Sequence, residues 1–226
     1  MIYSHIREGR FLSRPNRFIA HVETAEGTVV CHVKNTGRCR ELLIPGTRVW
    51  IDESFAPGRK TKFDLITVDR QGMLVNMDSQ APNRVFAEWA QKGGLGPLEH
   101  LQPECRFGQS RFDFCLTRPG GSLCYVEVKG CTLEEAGVAR FPDAPTERGV
   151  RHLRELIAAR QAGHEAAVCF VIQMKGPRCF EANRRTHPAF ADALLDAQAA
   201  GVNILALDCI VAPDRLTIDR PVPVRL

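Results

Sequence analysis

A small closed β-barrel followed by an α/β domain is the architecture that this sequence predicts, and three observations carry it. From about residue 17 to residue 77 the chain breaks into five short runs of β-branched and aromatic residues separated by turn formers. Beyond residue 81, strand-like runs alternate with amphipathic helical ones. The later strand-like runs are nearly all apolar, the pattern of strands buried on both faces. A chain of 226 residues has room for one to two domains, and the change of texture puts the boundary near residue 80, dividing it into 1–80 and 81–226.

The five runs of the first part are RFIAHVE, TVVCHVK, RVWID, KFDLITVD and MLVN. They are punctuated by Glu26-Gly27, Asn35-Thr36-Gly37, Pro45-Gly46, Pro57-Gly58 and Gln71-Gly72. CRELLIPG, between the second and third runs, has room for one helical turn. Five strands and a short helical insertion in about 65 residues fit an OB-like barrel. In the second part, Val85, Phe86 and Trp89 fall at helical spacing over 82–92, ahead of Gly93-Gly94. SRFDFCL and LCYVEVKG follow as a hairpin across Arg118-Pro119-Gly120-Gly121, and then comes a loop through Phe141-Pro142-Asp143-Ala144-Pro145. Thr146 caps a helix to about residue 162 with Val150, Leu153, Leu156 and Ile157 as its buried stripe. The strand AAVCFVIQM, the helix PAFADALLDAQAAG and the strand NILALDCIV complete the set.

Composition excludes several classes. At 44% hydrophobic and 25% charged the chain is globular rather than disordered, and no repeat of solenoid or propeller length occurs. The longest apolar run, residues 166–172, falls far short of the roughly 20 residues of a membrane helix. The N-terminal residues have no apolar core of a secretory signal. Nine cysteines, an odd number without a C-x-x-C pair, point to a reducing cytoplasm and to no structural zinc. The formal charge is +4; residues 1–80 carry 12 Lys and Arg against 9 Asp and Glu, the remainder 18 against 17. That mild excess suits nucleic acid and equally suits a solvated surface. No G-x-S-x-G elbow, Walker loop or Rossmann fingerprint is present, so no organic cofactor is expected.

The chemistry concentrates in the predicted hairpin. Alternation puts Phe112, Phe114 and Leu116 on one face and Arg111 and Asp113 on the other, and in the second strand separates Val126 and Val128 from Tyr125, Glu127 and Lys129. Pairing the apolar sides brings Asp113, Glu127 and Lys129 together beneath the following loop. Carboxylates on strands built for burial need compensation, and Mg²⁺ or Mn²⁺ bound by Asp113 and Glu127 would supply it while activating water on a phosphodiester. Lys129 would orient that water and stabilise developing charge. D-x(13)-E-x-K on neighbouring strands is the site pattern of the PD-(D/E)-x-K nucleases, with Phe112 in place of the motif's proline. An ordinary cross-strand ion pair has the same spacing. Such nucleases often add a helical glutamate, for which Glu88 is available; a solvent-facing Glu88 is the competing reading.

VKNTGRCRELLIPG, RFDF, YVEVKGCTL and FPDAPTERGVRHLREL closely resemble the sugar fermentation stimulation protein A family, with matching blocks from about residue 10 to 210. The resemblance implies an N-terminal OB-like domain, a C-terminal nuclease-like domain, DNA binding, and a role proposed for the family in regulating maltose metabolism. Its nuclease-like triad falls on Asp113, Glu127 and Lys129.

Around this triad, Arg148, Arg151 and His152 open the helix after the loop, within reach of a bound phosphate; the alternative is a solvated face in which Glu147 and Glu155 pair with Arg151. Lys34, Arg38 and Arg40 flank a turn whose backbone N–H groups could face an anion. His21 and His32 lie in strand patterns and are not expected to bind metal. Two functions follow. One is a divalent-metal-dependent nuclease that holds DNA, with RNA left open, on its OB-like domain. The other is a non-catalytic DNA-binding regulator of sugar metabolism on a nuclease-like scaffold.

Overall fold

The computed structural model describes residues 1–35 and 37–226. Its first sheet has six strands, β1 (Ile6–Asn16), β2 (Ile19–Thr24), β3 (Gly27–His32), β4 (Arg48–Glu53), β5 (Phe63–Arg70) and β6 (Met73–Asn76), in the order β3-β2-β1-β4-β5-β6. β3 also pairs with β5 through Cys31↔Phe63 and His32↔Asp64, which closes β1 to β5 into a five-stranded OB barrel.

The barrel has five strands, but not the five expected from the sequence. β1 was missed, and the run MLVN is β6, a sixth strand added outside the closed circuit. β1 runs close to β2: a Cβ on Gly9 would lie 2.5 Å from Val22 Cγ1 and 2.6 Å from the Glu23 carbonyl, so only glycine fits. Phe11, Val22, Val49, Ile51 and Leu65 fill the interior; burying each such side chain contributes about 1.5–3 kcal/mol. CRELLIPG makes the single turn foreseen, with the Leu42 and Leu43 N–H groups donating to the Cys39 carbonyl, and it buries both leucines.

The second unit begins with α1 (Ala81–Gln91), followed by β7 (His100–Phe107), β8 (Ser110–Thr117), β9 (Leu123–Cys131), β10 (Leu133–Glu135) and β11 (Val138–Phe141). After these come α2 (Glu147–Gln161), β12 (Glu165–Ile172), β13 (Cys179–Ala182), α3 (Pro188–Ala199), β14 (Asn203–Ala212), β15 (Arg215–Pro221) and β16 (Val224–Arg225). The main sheet has the order β15-β14-β12-β9-β8-β7, with β9, β12 and β14 parallel. Helices cover both of its faces, as β12, apolar from Ala166 to Ile172, requires. Val168, Phe170 and Ile172 join the layer of α2 and α3, while Cys169 and Val171 join that of α1. Thr146 caps α2 as expected, its hydroxyl accepting from Gly149 N at 3.0 Å. β10, β11, β13 and β16 form a small second sheet that the sequence did not announce.

A buried polar seam joins barrel and sheet. Gln173 Nε2 donates to the Asn76 carbonyl, to Asn76 Oδ1 and to the Asp78 carbonyl, each at 3.0 Å. Asp78 accepts from Tyr3 and Lys34 through Oδ2 and from Gln80 N through Oδ1. The start of α1 is therefore tied to the barrel, and it forms one wall of the candidate site. No helix among the described residues is long and apolar enough to cross a membrane.

Candidate active site

β8 and β9 pair from Thr117↔Leu123 to Phe114↔Val126 and then part. Where the next pair would form, Val128 N–H donates to the Asp113 side chain, 2.8 Å from Oδ2, instead of to a β8 carbonyl. This break overturns the expected alternation. Phe112 packs in the α2 layer against Tyr125, whereas Phe114 packs in the α1 layer against Phe86. Asp113 sits at the crossover.

The parting of the strands opens a pocket of about 390 Å³ lined by Ser79, Gln80, Asn83, Asp113, Glu127, Val128, Lys129 and Arg148. Asp113, Glu127 and Lys129 thus share one cavity. Asn83 Nδ2, in the first turn of α1, donates to Asp113 Oδ1 at 2.9 Å. Glu127 is only 3% exposed. Its Oε1 takes Lys129 Nζ at 2.5 Å and His152 Nδ1, and its Oε2 is buried without a partner.

The two carboxylates sit in opposite electrostatic states. Burial, reinforced by the Glu127 charge, pushes Asp113 above the usual aspartate range despite two donated hydrogen bonds. Burial also pushes Glu127 up, but the His152 hydrogen bond and the Lys129 ammonium outweigh it and hold this carboxyl below its ordinary value.

Residues 80–215 match the family model described as the sugar fermentation stimulation protein RE domain, and residues 12–77 match the SfsA N-terminal OB domain. The sugar fermentation stimulation protein homolog of Desulfitobacterium hafniense (strain Y51) is 58% identical over 226 residues, covering 100% of this chain and 99% of that one. This chain belongs to the SfsA family. The Ruminiclostridium cellulolyticum homolog is 52% identical over 227 residues, with full coverage of both chains. Among solved structures, Pyrococcus furiosus SfsA in complex with Ca²⁺ superposes with a TM-score of 0.90 at 28% identity, covering 100% of this chain and 98% of that one.

Not every residue singled out in this SfsA-family sequence reaches the pocket. Glu88 is exposed and accepts from the N-terminal ammonium of Met1 at 2.7 Å, in keeping with the solvent-facing alternative. Arg148 lines the pocket, and Arg151 is exposed on α2 without lining it. His152, read from the sequence as a phosphate contact, is instead buried: it turns inward to Glu127, and Arg148 Nε donates to its Nε2 at 3.3 Å. Lys34 is also turned inward, 3.2 Å from both Asp64 and Asp78, because those buried carboxylates need a counter-charge.

Arg38 and Arg40 are exposed and line a second, open groove of about 490 Å³ with Arg14, Asn16, Arg17 and Ala144 among others. Arg14 holds the adjoining turn, donating to the carbonyls of Arg17, Asn35, Gly37 and Arg38. Thr36 of that turn lies outside the described residues. The Gly37 N–H, expected to face an anion, is taken by Asn35 Oδ1 at 2.8 Å.

Sequence reasoning missed Asn83, Gln80 and Ser79 on the pocket wall and Arg14 and Arg17 in the groove. The signal for the first three was the Asp78-Ser79-Gln80 segment ahead of a Pro82 helix start, which marks a helix N-terminus. Among the described residues no cluster of three or more His, Cys, Asp and Glu side chains forms a ligand set. The anionic oxygen donors that line the pocket are the carboxylates of Asp113 and Glu127, and Ser79, Gln80 and Asn83 add neutral side-chain oxygens.

Proposed function

We propose that this protein binds DNA and hydrolyses its phosphodiester bonds with a divalent cation, Mg²⁺ or Mn²⁺, held by Asp113 and Glu127. The observation that carries the reading is the unpartnered, buried Oε2 of Glu127, a residue that lines the same pocket as Asp113. An unsatisfied buried acceptor costs about 1–3 kcal/mol, and a hard cation satisfies it. Mg²⁺ is commonly held by one or two carboxylates, with waters and phosphate oxygens completing the shell, so two ligands suffice. The Ca²⁺ in the Pyrococcus furiosus relative supports a chain that takes a hard divalent cation.

When bound, such a cation polarises a phosphoryl oxygen and makes its water more acidic. The chain's own residues do the rest. Lys129 offers an ammonium to the charge that develops on phosphorus oxygens. Asn83 and Val128 N–H fix the Asp113 carboxylate from both sides. Arg148, exposed at the rim, can grip a phosphate through its guanidinium.

The groove of Arg17, Arg38 and Arg40 supplies the grip on the backbone. Ala144 lines the groove and Arg148 the pocket, and four extended residues span at most about 14 Å. That upper bound corresponds to about four base-pair rises along a duplex axis at about 3.4 Å each.

The test is cleavage of end-labelled single- and double-stranded DNA in Mg²⁺ and in Mn²⁺, with RNA alongside. The proposal expects products that disappear in EDTA and in Asp113→Asn and Glu127→Gln. DNA retention without products under either metal would leave the protein a DNA-binding regulator on a nuclease-like scaffold.

A further inference from the structure

The cation reading of the pocket leaves one buried group without a role. His152 is 3% exposed, in the middle of α2, between Val150 and Leu153 of the stripe that packs on the sheet. A leucine there would complete the apolar layer. A buried imidazole needs partners for its polar atoms, and both of its nitrogens have one.

The partners fix the chemistry of the ring. Arg148 Nε–H lies 3.3 Å from His152 Nε2, and a guanidinium only donates. Nε2 is therefore the acceptor and the ring proton sits on Nδ1, which donates to Glu127 Oε1. The Phe112 ring stands nearly perpendicular to the imidazole, 78° at 6.3 Å between centroids, and packs against its side. The donor aimed at Glu127 is thus held in direction.

Glu127 Oε1 has a second donor, Lys129, on a flexible four-carbon stem with 17% of its side chain exposed. A mobile ammonium can follow either carboxylate oxygen. The imidazole cannot, so it selects which oxygen is held and which is left without a donor. The oxygen left without a donor is Oε2, which is buried.

We infer that His152 is a positioning residue: its Nδ1–H holds Oε1 of Glu127, so that Oε2 is presented to the divalent cation, with Arg148 fixing the tautomer from behind. The inference rests on the cation reading above, and it assigns His152 no contact with substrate.

Mn²⁺ titration, followed by the EPR signal of the free ion, tests it on the full-length protein without any cleavage assay. His152→Gln keeps the volume but places its amide where Nε2 stood, and should raise the Mn²⁺ Kd by about 10–100-fold, as loss of an outer-shell partner does. His152→Ala should do the same. His152→Asn, whose amide N–H reaches the Nδ1 position, should recover most of the affinity although it packs less well and melts lower than wild type. Wild-type affinity in the Gln variant overturns the inference, as does equal weakening in Asn and Gln, which would mean that the ring only fills space. A wild-type protein that binds no Mn²⁺ refutes the cation reading itself, and this inference with it.

Discussion

Asn83 Nδ2 stands 2.9 Å from Asp113 Oδ1, joining the first turn of α1 to the point where β8 leaves β9. With Val128 N–H on the other oxygen, both carboxylate oxygens of Asp113 have donors, and its ionised form is still disfavoured by burial and by Glu127. Glu127 is the reverse case, stabilised as an anion by His152 and Lys129 against its burial. Two carboxylates in one pocket, displaced in opposite directions by their surroundings, are a mark of functional sites.

Asp113→Asn should therefore stabilise the cation-free protein while removing a ligand. The new side chain keeps the Val128 bond through its carbonyl, and Asn83 can turn its own carbonyl to the new amide. The folded pKa of Asp113 lies above the unfolded value of about 3.9, so its contribution is most favourable below that value and declines as pH rises through the folded one. The melting temperature in EDTA should exceed wild type by about 2 °C or more at pH 7, and the gap should close at about pH 3 and below. A variant that melts lower than wild type at pH 7 contradicts the account of Asp113.

Glu127→Gln should move stability the other way. It leaves Lys129 and His152 facing a neutral amide in a buried place, a loss of about 1–3 kcal/mol. Urea unfolding in EDTA measures it directly. An unchanged midpoint would mean that the two donors contribute nothing to the fold.

How much of this was legible beforehand depended on burial. β2 to β5, β8, β9, β12 and β14 stand out because one or two buried faces impose alternation or an unbroken apolar run. β1 did not, since Arg7, Glu8, Arg10 and Arg14 interrupt it and few of its residues are buried. β7 contains Pro103, which reads as a break, yet β7 is an edge strand where a missing ladder donor is tolerated. Strands of two to four residues, such as β10 and β16, are too short to show a period. In the pocket, the Asp113, Glu127 and Lys129 spacing was visible within one hairpin. The inward turns of Lys34 and His152 were not, because they are decided by Asp64, Asp78 and Glu127, residues far away in the chain that only the tertiary fold brings close.

Asp64 should set part of the acid limb of stability. It is buried, which raises its pKa, but Arg59 and Lys34 outweigh burial and hold it below the ordinary value. A depressed folded pKa gives stability that is complete above the unfolded value of about 3.9 and is lost as pH falls through the folded one. Asp64→Asn should melt below wild type at pH 7, and the two curves should converge as the pH approaches about 2. Parallel curves across that range would remove Asp64 from the acid transition.

The basic residues at the barrel end divide into two kinds, and salt dependence separates them on the proposed DNA surface. Arg38 and Arg40 are exposed beside the groove, whereas the charge of Lys34 is already balanced by Asp64 and Asp78. Each phosphate contact on duplex DNA contributes about −0.9 to the slope of log K against log salt. Arg38→Ala and Arg40→Ala should each flatten the slope by about one unit with little change in melting temperature. Lys34→Ala should leave the slope as it is and lower the melting temperature instead, since it takes the ion-pair partner from buried Asp78 and leaves buried Asp64 to Arg59. A slope flattened by Lys34→Ala and untouched by both arginine variants would place the phosphate path across the barrel–sheet seam rather than along the groove.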